Sequence, residues 1–151
     1  MAMYAAVFDG ISVDAIADLF YLKPPSTRAV IIHEIRITQE TSETSETLPL
    51  KLFRTATDNS AQGTGNTPAT LGADGTVAST VRTLITGANL SAETTLLRVE
   101  SENVLGGWHY LPTPENRIHI VPGGNGFAVK LKTAPAAALT LDGVMVFEEV
   151  G

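Results

Sequence analysis

The sequence predicts an all-β, jelly-roll-like antiparallel sandwich in a single domain spanning residues 1–151. Three observations carry this expectation. Short runs rich in Val, Ile, Leu, Thr and Phe recur along the chain, several with strict apolar–polar alternation. Turn-forming residues separate them, as at Pro24-Pro25, Gly87-Ala88-Asn89 and Gly123-Gly124-Asn125-Gly126. No long stretch holds a helical period, and roughly eight to ten short strands at this spacing make a sandwich or barrel.

Tyr4 to Phe8 reads as the first strand, closed by an Asp9-Gly10 turn. Ile11 to Leu22 is ambiguous, because Ile11, Ala15, Leu19 and Leu22 lie at helical spacing. Leu19 and Tyr21 also alternate with Phe20 and Leu22, and prolines follow, which favours extended chain from Asp18 to Lys23. A short helical turn near Val13 to Ala17 remains open. Arg28 to Thr38, RAVIIHEIRIT, is the densest β-branched run. Val30 and Ile32 have one parity, and Ile31, Ile35 and Ile37 the other. The pattern predicts a strand buried on both faces at its start and half-exposed at its end.

Gln39 to Thr47 is acidic and lacks apolar residues, so it reads as a solvated loop. Glu40, Glu43 and Glu46 could face a cation there, without the spacing of an EF-hand. In Leu48 to Thr55 the residues Leu48, Leu50 and Leu52 share one face, with Lys51 and Phe53 on the other. Pro49 belongs at a strand start or sheet edge. Residues 57–92 form a long Gly/Thr-rich loop, with few apolar anchors and one short strand at Val81 to Ile85. Further strands follow at Thr94 to Glu100, Arg117 to Val121 and Phe127 to Leu131. Leu139 to Val150 is the last, with a bend at Asp142-Gly143. Sandwich topology suggests that Val144 to Phe147 lies beside Ile31 to Ile37.

The formal charge is −6, and the ten Lys and Arg are scattered, which argues against nucleic-acid binding and against anionic lipid. There is no cysteine, so disulfides and thiolate sites are excluded. The N-terminal stretch lacks a signal-peptide pattern, and no apolar run approaches the ~20 residues of a membrane span. His33, His109 and His119 have no metal-ligand spacing, and no nucleophile or phosphate-loop motif occurs. The sequence therefore predicts neither an enzyme nor a cofactor or metal site. Trp108, His109 and Tyr110 could stack on a sugar, form a subunit interface, or plug one end of the sandwich.

Five segments bear a family resemblance: MYAAVFDGISV, AVIIHEIRITQET, LPLKLFR, GWHYLPTPENR and ALTLDGVMVFEE. Together the chain resembles tailed-bacteriophage head decoration or cement proteins with a jelly-roll-like fold. The resemblance implies a structural, non-enzymatic protein on the outside of the virion capsid, made in the host cytoplasm. Its implied partners are the major capsid protein and further copies of itself, as a trimer or dimer. The contact surface it implies runs through Tyr4 and Phe8, Asn66, Thr67 and Pro68, and the block Trp108, His109, Tyr110, Pro112, Pro114 and Arg117. The alternatives are a carbohydrate-binding sandwich displayed on the virion, with the Trp108 block as its stacking patch, and a tail or baseplate component.

Overall fold

The chain folds by pairing its first half against its second in reverse order. The computed structural model describes residues 2–40, 45–72 and 75–151. Its strands are β1 (Ala2–Val13), β2 (Ala17–Lys23), β3 (Ala29–Gln39), β4 (Thr47–Thr55), β5 (Thr64–Asn66) and β6 (Ala69–Thr70). They continue with β7 (Thr80–Thr86), β8 (Glu93–Asn103), β9 (Trp108–Tyr110), β10 (Ile118–Ile120), β11 (Phe127–Leu131) and β12 (Leu139–Val150). β1 pairs with β12, β2 with β11, β3 with β9 and β10, and β4 with β8, all antiparallel. This nested ribbon wraps into two packed sheets, which is the jelly-roll arrangement. The first sheet runs β10-β3-β12-β1-β6, with β9 beside β10 on the edge of β3. The second runs β5-β7-β2-β11-β4-β8.

The expected neighbours are present, since Val144 lies opposite Arg36, Met145 opposite Ile35 and Phe147 opposite Ile32. The inner faces meet in one core that includes Tyr4, Phe20, Leu22, Ile32, Ile35, Leu50, Leu52, Met145 and Phe147. Gly143 leaves room for the Phe8 ring, which packs against Phe20 in a tilted arrangement with centroids 4.8 Å apart.

Several local expectations are corrected. Asp9-Gly10 is not a turn but a bulge inside β1, where the register slips between Phe8 and Ile11. Gly10 adopts φ +64° there, and its N–H donates to the Asp142 carboxylate at 2.7 Å. Asp142-Gly143 lies within continuous β12, and no helix forms at Val13 to Ala17. In β3 a bulge at His33 changes which parity faces the core. Val30 and Ile32 are buried before it, and Ile35 and Ile37 after it. That slip, rather than burial on two faces, explains the mixed pattern of Ile residues.

The most fully buried strand is β2, buried from Ala17 to Leu22. Its outer face holds a small cluster of Tyr21, Phe53, Ile85 and Ala128, and the Asn59 N–H donates to the Tyr21 hydroxyl at 3.1 Å. Asn59 donates to Ser91 Oγ at 2.8 Å, and the Ser91 N–H donates to buried Asp18 at 2.8 Å. Residues 57–92 are thus not one free loop. They carry β5 and β7 along the edge of the second sheet and β6 along the edge of the first.

Candidate functional site

The Trp108 block closes the side of the sandwich where β8 and β9 face each other. β9 alternates, so Trp108 and Tyr110 point inward while His109 points out. Trp108 donates from Nε1 to Glu100 at 2.6 Å, and its ring stacks 6.4 Å from that of Tyr110. The Arg98 guanidinium sits 5.3 Å over the Tyr110 ring and binds Glu100 at 2.8 Å. Burial raises the Glu100 carboxyl, but the Trp108 and Arg98 hydrogen bonds outweigh this and hold it below the usual carboxylate range. Trp108 and Tyr110 are 5% and 4% exposed, so neither offers a face to a sugar or a partner.

Tyr4, Phe8 and Pro68 are corrected in the same way, because all are buried in the chain's own fold. Asn66 is half-buried and donates to the Val7 carbonyl at 2.8 Å, while Thr67 is exposed. His109 is exposed and pairs with Glu34 at 2.8 Å. Pro112 is half-buried, and Pro114 is exposed in a short 3-10 turn at Pro114–Asn116.

Arg117 is brought to a place that the linear sequence does not reveal. It lines a cleft of about 320 Å³ together with Arg54, Leu97, Arg98, Tyr110, Ile118 and His119. Arg54 spans the two sheets by donating to the His119 carbonyl at 2.9 Å. Among the described residues no ion pair includes Arg54 or Arg117. Arg54 follows Leu48, Leu50 and Leu52 on one parity, and a charge on an otherwise inward face was the available signal.

A second feature lies on the outer face of the first sheet. Val7 is paired with Val144, and Ala5 with Val146. Leu71 extends the same surface through its N–H to the Met3 carbonyl at 2.9 Å. Val7 and Leu71 are 55% and 57% exposed. Beyond β12 the face turns polar, with Glu34, Arg36 and His109 on β3 and β9. An apolar sheet face with a polar rim has the anatomy of an interface.

Carboxylates also gather at the β1 bulge. Single oxygens of Asp9, Glu40 and Asp142 lie within 4.8 Å of one another. The hydrogen bond and negative charge of Asp142, then burial and Asp9, push the Glu40 carboxyl up. Hard cations accept such oxygen donors. Glu46 instead accepts the Ala136 N–H at 2.8 Å, and Glu43 lies outside the described residues.

Glu102 borders an apolar pocket lined by Leu48, Leu50, Val104, Leu131 and Leu141. Its Oε2 is buried with no hydrogen-bond partner among the described residues. Burial first, and the Glu100 charge second, push it up to about 7. The native state therefore holds this proton more tightly than the unfolded chain. The associated stability is complete below about 4.5 and is lost as pH rises through about 7. Glu102→Gln should stabilise the domain by about 1–2 kcal/mol at about pH 9, after allowance for partial solvent screening, and by almost nothing at about pH 4. Thermal melts across pH read this directly, and an equal gain at both ends would contradict it.

The chain matches no protein-family model, no curated protein and no solved structure.

Proposed function

We propose that this protein is a bacteriophage capsid decoration protein. It binds the assembled head shell from outside and strengthens it, as a symmetric homo-oligomer in contact with the major capsid protein. The supporting observation is the apolar face of Met3, Ala5, Val7, Leu71, Val144 and Val146, rimmed by the polar residues Glu34, Arg36 and His109. Such a face on a jelly-roll sheet is suited to a broad protein contact, and many repeated copies would multiply a modest affinity. The sequence resemblance supplies the identity of the partner.

The test is binding to purified heads that lack the protein. Wild type should bind saturably and raise the temperature at which the heads break. Val7→Glu and Val144→Glu place a charge on the contact and should each weaken binding by about tenfold or more. Val7 is exposed, so its variant should melt close to wild type. Absence of saturable wild-type binding would remove the reading. Full binding by both variants would remove this face from it.

A further inference from the structure

We propose that the cleft between β8 and β10 is a docking site for an extended, carboxylate-bearing peptide segment. That this segment belongs to the shell rests on the function proposed above; the chemistry of the cleft does not.

Charge is the first argument. The chain carries six net negative charges and only ten Lys and Arg, yet three arginines line this one cleft. Glu100 neutralises Arg98, whereas Arg54 and Arg117 have no carboxylate at ion-pair distance among the described residues. Arg117 Nε is moreover buried with no hydrogen-bond acceptor among those residues. A buried donor left unpaired is unfavourable, and a carboxylate oxygen would satisfy it with a charge-assisted bond. Guanidinium groups also present the paired donors that a carboxylate accepts.

Shape and backbone then favour a peptide over a small anion. Leu97 and Ile118 give the cleft an apolar lining for intervening side chains. Its two walls are edge strands. Among the described residues β8 pairs only with β4, so its outer edge leaves a row of backbone groups unpaired, whereas on the short edge of β10 the His119 carbonyl already accepts Arg54. An extended segment can add hydrogen bonds to such an edge while alternate side chains enter the cleft.

The probe is a short labelled peptide alternating Glu and Val, compared with its Gln-for-Glu counterpart by fluorescence anisotropy on the full chain. The Glu peptide should bind about tenfold or more tightly than the Gln peptide, and should weaken as salt is added. Arg54→Gln and Arg117→Gln should each lower its affinity by about tenfold. Arg54 also bridges the sheets, so His119→Glu provides an independent check. It puts a negative charge on an exposed residue at the cleft and should weaken binding without shifting the thermal midpoint. Equal affinity for the two peptides, or Glu-peptide binding indifferent to all three variants, overturns the proposal. So does binding of a heparin fragment with none of the Glu peptide, which would mark the cleft as a site for anionic glycan. Heads that capture wild type while the Glu peptide fails to bind would sink the cleft assignment alone. Glu-peptide binding without head binding would support the cleft and sink the shell reading.

Discussion

Truncating Glu149 to alanine is expected to lower stability by about 2–4 kcal/mol. The Glu149 side chain is completely buried, yet it is well satisfied. One oxygen accepts the Ala78 N–H at 2.9 Å, the Ser79 N–H at 2.6 Å and the Ser79 hydroxyl at 2.7 Å. The other accepts Arg28 at 2.9 Å. These bonds fasten the segment before β7 to the end of β12, and so join the two sheets. Alanine would leave several donors facing a void. Burial alone would raise the carboxyl, but the donors from Ser79, Ala78 and Arg28 together hold it below the ordinary range. Because the folded value is depressed, its contribution is present above about 4.5 and disappears as pH falls through the folded value. Urea titrations at neutral and acid pH should show Glu149→Gln losing part of the wild-type acid sensitivity. A variant as stable as wild type at neutral pH would contradict the role of this anchor.

Gly143→Ala is expected to cost about 1–3 kcal/mol by overpacking. A Cβ at this position would fall 2.3 Å from the tip of the Phe8 ring. The ring cannot easily retreat, because the tilted Phe20 ring packs against it with centroids 4.8 Å apart. The glycine is therefore a space requirement imposed from the neighbouring strand. Phe8→Leu should itself destabilise, since it removes buried surface. Combined with Gly143→Ala, it should cost about 1–2 kcal/mol less than the sum of the single changes, because the shorter side chain makes room for the methyl. Strict additivity in chemical denaturation would show that the contact is not what excludes a side chain at 143.

The strands were legible because alternation survives wherever one face of a sheet meets the core. Leu48, Leu50 and Leu52 are buried as their spacing requires. The pairing of β12 with β3 followed from sandwich topology. The bulges were not legible, since Asp9-Gly10 has the composition of a turn whether or not the strand continues. His33 likewise gives no local sign that the parity changes around it. The contact residues were misplaced for a related reason. Tyr4, Phe8, Trp108 and Tyr110 are aromatic, and aromatics serve interfaces and cores equally well. Only the inward register of β1 and β9 decides between the two. The arginine cleft draws on β4, β8, β10 and the segment before β10, so no single stretch could disclose it. The carboxylates of Asp9, Glu40 and Asp142 are likewise assembled from distant strands.

The place of β12 between β1 and β3 carries a consequence for how the domain is made. The centre of the first sheet is the last strand of this sequence to leave the ribosome. Until Leu139–Val150 emerges, β1 and β3 have no common neighbour and their inner hydrogen-bonding edges stand open. Folding of the domain must then be slow, since it waits on pairings between the far ends of the sequence. During that interval the open edges are exposed to other nascent chains. The hazard grows with the concentration of unfinished chains, so the yield would depend on temperature and synthesis rate more steeply than the final stability suggests.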